Sequence, residues 1–225
     1  MDNVRLKTVS TVEAVCQTLE NDVFSLYYAP GAKITESDLS IRYGVSRNTL
    51  REAIARLLSC GLLVKYPNRG VYVREITFED VREIFHLREI LESEAVRELA
   101  DIGVLPPELY DYADELANSD FENDWMSYAY ADSRFHELLV SAAGSPRLMR
   151  LYESIIVEVK LCIFQSRGVV PFCRSNAEQH RLLLDAIAQS DVAGALDILA
   201  KHNASAVRRY EDGFAKLHAN SGSSN

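Results

Sequence analysis

Apolar positions recur at helical spacing over most of the chain. Val9, Val12, Cys16, Leu19, Val23 and Leu26 fall three and four apart, the repeat of an amphipathic helix. Ser10-Thr11-Val12-Glu13 fits a capping box at its start, and Ala29-Pro30-Gly31 predicts its end. Thr35-Glu36-Ser37-Asp38 offers a second cap, and Leu39 and Tyr43 give a short helix its inward face until Gly44 ends it. Ser46 caps a third helix with Leu50, Ile54, Leu57 and Leu58 on its buried side, closed by Cys60-Gly61. The period then changes. Residues 62–66 and 71–74 are short runs of β-formers around Pro67-Asn68-Arg69-Gly70, a turn signal. Three helices and a hairpin, with a tight glycine-containing turn between the second and third helices, describe a winged helix-turn-helix.

Beyond residue 77 no strand-like alternation of any length appears. Thr77-Phe78-Glu79-Asp80 caps a helix carrying Val81, Ile84, Phe85, Arg88, Leu91, Ala95 and Leu99 on one stripe. Pro106-Pro107 opens a shorter helix. A longer one covers about 124–142, and another runs from Pro146 to about residue 164. Gly168-Val169-Val170-Pro171 breaks the pattern, Ser175-Asn176-Ala177-Glu178 reads as a further capping box, and Asp191 caps the last long helix. The expected fold class is therefore mainly α: a winged helix-turn-helix over 8–75, then an all-helical antiparallel bundle of six or seven helices over 77–217. A Ser/Gly/Asn-rich tail over 218–225 reads as disordered. No internal repeat is visible.

Charge separates the same two segments. The whole chain carries −9, yet residues 1–75 hold 10 basic against 8 acidic side chains, and residues 31–74 hold 8 against 3. Residues 76–225 hold 14 against 25. A basic segment joined to an acidic one suggests two domains with different partners. No apolar run approaches the roughly 20 residues that span a bilayer, and the N-terminal residues lack the apolar stretch of a signal peptide. Cys16, Cys60, Cys162 and Cys173 form no CxxC pair. A reduced, cytoplasmic protein with no membrane partner is expected.

The basic segment places its chemistry at the start of its third helix. Arg47, Asn48 and Arg51 lie on the outer side there, with Ser46 and Thr49 beside them. In a helix-turn-helix the N-terminal end of this helix enters the major groove. Arginine can fork onto guanine, and Asn or Thr can reach other base edges or phosphates. Arg69-Gly70 at the hairpin tip adds a cation and allows close backbone approach. The alternative for any one of these arginines is a solvated basic face. The run from Leu39 to Ile54, with Gly44-Val45-Ser46-Arg47 and Arg51-Glu52-Ala53, followed by Gly61-Leu62-Leu63 and Arg69-Gly70, resembles the DNA-binding domain of GntR-family bacterial regulators. Thr49-Leu50 stands where many relatives have Pro-Val, and Ser37 stands where some have arginine. The resemblance implies a homodimer on a palindromic double-stranded operator.

Four polar residues of the acidic segment sit where apolar ones are expected. Asp132 and His136 are four apart on a face with Ala129, Leu139 and Ala143. His180 shares a stripe with Leu184 and Ile187, and His202 one with Ala195, Ile198 and Ala206. Burying four unpaired polar groups is costly. One aspartate and three imidazoles converging in a bundle would hold one divalent transition metal per chain, with Zn²⁺, Ni²⁺ and Mn²⁺ the candidates. The alternative is a hydrogen-bonded core cluster. His86 and His218 have no such partners. Asp132-Ser133-Arg134-Phe135-His136, Glu178-Gln179-His180, His202 and Arg88-Glu89-Ile90-Leu91-Glu92 resemble the FCD domain of FadR-like GntR regulators. That resemblance implies a small organic acid held at the metal as effector, with repression the commoner outcome among relatives. Arg88 is a candidate for the effector carboxylate, or alternatively an ion-pair partner of Glu92. The resulting expectation is a ligand-responsive regulator and not an enzyme. A metal sensor, and a metal-dependent enzyme whose ion activates water, are the competing readings.

Overall fold

The structure is a computed structural model and describes residues 10–120, 124–168, 170 and 173–221, of which 216–221 by backbone alone. The chain divides into two compact units between Glu75 and Ile76.

In the first unit, α1 (Thr11–Phe24) starts where the Ser10 hydroxyl accepts the Glu13 amide. Val15, Leu19, Val23 and Phe24 are its buried residues, while Val12 and Cys16 are half-buried. The inward face is thus rotated from the expected stripe, because packing on the third helix selects it. Val9 lies outside the described residues. The helix also ends earlier than the Ala29-Pro30-Gly31 signal predicts. Leu26 takes a left-handed φ of 62°, so the chain turns away one helical turn before the proline.

A two-residue strand, β1 (Lys33–Ile34), precedes α2 (Glu36–Tyr43), whose cap is Thr35 and whose C-terminal turn closes on Gly44 at φ 65°. Helix α3 (Arg47–Ser59) buries Leu50, Ala53, Ile54 and Leu57 and packs against α1 and α2. Strands β2 (Leu63–Tyr66) and β3 (Gly70–Val73) form the expected hairpin. β1 joins them, giving an antiparallel sheet in the order β1-β3-β2 with Lys33 opposite Tyr72 and Tyr66 opposite Gly70. Two residues carry no readable alternation, so only the pairing reveals β1.

The second unit contains seven helices among the described residues: α4 (Phe78–Ile102), α5 (Pro107–Asn118), α6 (Trp125–Ala142), α7 (Pro146–Glu153), α8 (Ile156–Gln165), α9 (Arg174–Ala188) and α10 (Val192–Ser221). Thr77 and Asp80 form a full capping box on α4. The segment from Pro146, expected as one helix, divides at Ser154, whose hydroxyl donates to the Leu151 carbonyl. The expected box at Ser175–Glu178 is not the start of α9, because Arg174 is already helical and Cys173 occupies the cap position. The Asp191 carboxylate accepts the Gly194 amide at the start of α10. That helix reaches Ser221, inside the expected tail; residues 222–225 lie outside the described residues. Helix α4 packs on α6, α9 and α10, and α10 also packs on α9. One stripe from each of these four helices meets at the centre of the unit. Among the described residues no helix is long and apolar enough to cross a membrane.

Candidate functional site

The residues expected to meet DNA divide by what already holds them. Ser46 caps α3: its hydroxyl accepts the Thr49 amide at 3.2 Å and lies 2.9 Å from the Thr49 hydroxyl. Both side chains are therefore occupied in positioning the helix start. Arg47 and Asn48 are exposed on the next two positions. Arg51 is exposed, and its Nε donates to both Glu36 oxygens at 2.9 and 3.0 Å. An exposed pair of this kind contributes little stability, but it sets where the guanidinium points. Sequence reasoning missed Glu36 because the pairing crosses from α2 to α3.

At the hairpin tip Pro67 and left-handed Asn68 (φ 59°) occupy the middle of a turn closed by the Arg69 amide on the Tyr66 carbonyl at 3.2 Å, the residue pattern of a type II turn. Arg69 projects from it, exposed. Gly70 has φ 110°, and a Cβ there would sit 3.2 Å from Lys33 Cε. Glycine is thus required both by the backbone and by the neighbouring lysine. Behind this surface, Arg42 donates to both Asp22 oxygens at 2.8 and 2.9 Å and lies 3.8 Å over the Tyr27 ring. The Tyr43 hydroxyl donates to the same carboxylate at 2.7 Å. Burial would raise the Asp22 pKa, but the bonds from Arg42 and Tyr43 outweigh it and hold the pKa below its usual value.

In the second unit α6 supplies Asp132 and His136, α9 supplies His180, and α10 supplies His202. All four are buried, and one potential ligand atom from each lies within 4.8 Å of the others. His180 Nδ1 is 2.9 Å from the Ala177 carbonyl. A carbonyl only accepts, so this nitrogen carries the proton and Nε2 keeps its lone pair. His136 Nδ1 is 3.1 Å from Glu92 Oε1, close but not aligned as a hydrogen bond. A lone pair facing a carboxylate oxygen would be repulsive, which places the proton on that nitrogen too. The two Nε2 atoms then face each other at 3.2 Å, with Asp132 Oδ1 3.4 Å from that of His180. A shared cation relieves the repulsion between the two lone pairs. The spacing also suits two imidazoles that each reach an ion at about 2.1 Å. The donor set, three nitrogens and one oxygen, fits a first-row divalent ion.

Around the four lies a second group that sequence reasoning weighed only in part. Glu92 accepts from Arg88 Nε at 2.8 Å and from the Tyr152 hydroxyl at 3.0 Å, all three buried. Burial alone would raise the Glu92 pKa; the charge of Arg88 and the contact with His136 bring it down to about 2. Desolvation likewise opposes the ionised form of Asp132, yet the His180 bond with the His136 and Arg88 charges holds its pKa below the ordinary range. Arg88 is thus the ion-pair partner of Glu92. Its Nη2 makes no hydrogen bond among the described residues and lies 4.0 Å from Asp132 Oδ2. His86 is exposed, away from the cluster, and the His218 side chain lies outside the described residues. A small cavity opens beside the cluster, lined in part by Arg88, Asp132 and His202.

Residues 11–73 match the bacterial regulatory proteins of the gntR family, and residues 83–205 match the FCD domain. The chain is 27% identical over 210 residues to the HTH-type transcriptional regulator BphR of Paraburkholderia xenovorans, covering 88% of this chain and 84% of that one. It is 28% identical to a probable D-xylose utilization operon transcriptional repressor of Paenarthrobacter nicotinovorans, covering 76% of each. A solved structure of a GntR regulator from Rhodococcus sp. RHA1 superposes with a TM-score of 0.75 at 26% identity, over 88% of this chain and 96% of that one.

Proposed function

The chain belongs to the GntR family of bacterial regulatory proteins and carries a C-terminal FCD domain, and on that premise we propose that it is a metal-containing, acid-responsive repressor. Its family is one of DNA-binding transcription regulators, not enzymes. In this reading the protein acts in the cytoplasm as a homodimer on a palindromic double-stranded operator. Arg47, Asn48 and Arg51 meet the major groove, Ser46 and Thr49 hold the helix end against phosphate, and Arg69 with Gly70 meets the neighbouring groove. Repression is supported by the name of the Paenarthrobacter relative.

The observation that carries the effector half is the pair of facing Nε2 atoms beside an unpartnered Arg88 Nη2. Asp132, His136, His180 and His202 would hold one Zn²⁺, Ni²⁺ or Mn²⁺. When bound, the ion supplies a Lewis-acidic charge that attracts a carboxylate. Arg88, already fixed by Glu92, directs its remaining N–H groups to the same carboxylate. Tyr152 and Glu92 keep that arginine in place. The acid shifts operator affinity only by its differential affinity for the operator-competent state.

The test is operator binding by metal-loaded and chelated protein, each titrated with small organic acids. Loss of the acid response on chelation, with basal operator binding retained, supports the reading. An operator affinity that follows the metal alone, with no acid effect, would instead make the ion the effector.

A further inference from the structure

The cavity beside the four candidate ligands is a slot with a second polar end. Along α6, Tyr128 and Trp125 stand four and seven residues before Asp132. Along α10, Ala206 and Arg209 stand four and seven after His202. Along α9, Asn176 stands four before His180. All of these except His180 line the cavity. Spacings of four and seven keep residues on one helix face and carry them two turns, about 10 Å, along the axis. The metal end and the Arg209 end therefore lie apart along one channel, each with a guanidinium: Arg88 at the first, Arg209 at the second.

Three features narrow what fits. The room open to water centres is about 40 Å³, enough for about three water molecules, or roughly 90 Å³ of liquid. That matches an acid of three or four carbons and excludes six-carbon sugar acids and fatty chains. Arg209 puts a positive charge opposite the metal end. Asn176 is buried, and its Oδ1 accepts no hydrogen bond among the described residues. A buried acceptor without a donor is costly, and a ligand hydroxyl can supply the donor.

Building on the metal-and-acid reading above, we infer that the effector is a hydroxy-dicarboxylate of three or four carbons. One carboxylate binds at the metal end with Arg88, the other pairs with Arg209, and the hydroxyl donates to Asn176 Oδ1.

Metal-loaded, full-length protein titrated calorimetrically with butyrate, succinate, malate and gluconate tests this. Succinate should bind at least tenfold tighter than butyrate, and malate several-fold tighter than succinate. Gluconate should bind at least tenfold more weakly than malate. Arg209→Gln should bring succinate down to the butyrate level without moving butyrate, and Arg209→Lys should restore part of the difference. Equal binding of butyrate and succinate, or an equal loss of both in Arg209→Gln, overturns the second carboxylate site. Equal malate and succinate affinities overturn the role given to Asn176. If none of the four acids binds protein that carries its full metal, the acid-effector reading itself fails.

Discussion

Nε2 of His136 and Nε2 of His180 lie 3.2 Å apart with neither nitrogen supplied a proton by its own ring, since each Nδ1 faces an acceptor. This relationship makes the folded apo state bear a repulsion that an ion removes. Ligand binding restricted to the folded state stabilises it by mass action, about 4 kcal/mol at a thousandfold excess over Kd. Purified protein should carry about one divalent ion per chain by elemental analysis. Chelation should lower the Tm, and re-addition should restore it. His180→Ala should lose stoichiometric metal while far-UV circular dichroism stays helical. An unchanged Tm and no bound metal after growth in supplemented medium would leave the four residues as a core cluster.

Arg47→Ala and Arg51→Ala should each weaken specific operator binding about ten- to a hundredfold if the side chain forks onto a base. The contact with Glu36 adds a finer expectation. Glu36→Gln releases Arg51 from a charged partner, so operator discrimination should relax while non-specific affinity rises slightly. Fluorescence anisotropy on operator and scrambled duplexes measures both. Full discrimination in Arg51→Ala would remove that residue from base contact.

Arg88 and Glu92 are buried together on successive turns of α4. Removing one partner of such a pair leaves an uncompensated charge and costs about 3–5 kcal/mol. Arg88→Ala should therefore lower the Tm sharply, and a lost acid response in it would not isolate effector contact. The double variant Arg88→Met/Glu92→Gln should recover most of that stability while the acid response stays absent. Thermal melts of the three proteins, alongside acid titrations, check the pair. A double variant that is no more stable than the single would rule out the buried-charge explanation.

The first unit should show its own acid dependence. The Asp22 pKa is depressed in the folded chain by Arg42 and Tyr43 against the opposing effect of burial. Stabilisation from a depressed carboxylate is complete above the unfolded pKa of about 3.9 and is lost as pH falls through the lower folded value. Asp22→Asn should thus lower the Tm near neutral pH, and the gap to wild type should narrow as pH falls below about 4. Circular-dichroism melts across that range decide it. A gap that stays constant or widens on acidification would contradict the pairing.

At the hairpin tip, Gly70→Ala places a Cβ at φ 110° and 3.2 Å from Lys33 Cε. Such backbone strain costs about 1–3 kcal/mol. The variant should melt earlier and bind operator more weakly in gel-shift titration, whereas Asn68→Gly, at φ 59°, should be tolerated.

Local chemistry is legible along the chain itself. Ser10, Thr35, Ser46, Thr77 and Asp191 each bond an amide three residues on, and Gly44 takes the left-handed φ that ends α2. Those interactions depend only on neighbours along the chain, so the order of residues suffices for most helix starts, the hairpin and the two-unit plan. It also singles out Asp132, His136, His180 and His202, because a polar residue on an apolar stripe stands out against the helical period. Pairings across elements arise only when those elements pack. β1 exists because β3 offers it a register, and α1 turns its Val15 face inward because α3 packs there. The facing of two Nε2 atoms, the hold of Glu36 on Arg51, and the convergence of Asn176 and Arg209 on one slot depend on helix placement. Periodicity assigns each residue a face but carries no information about which face of another helix will meet it.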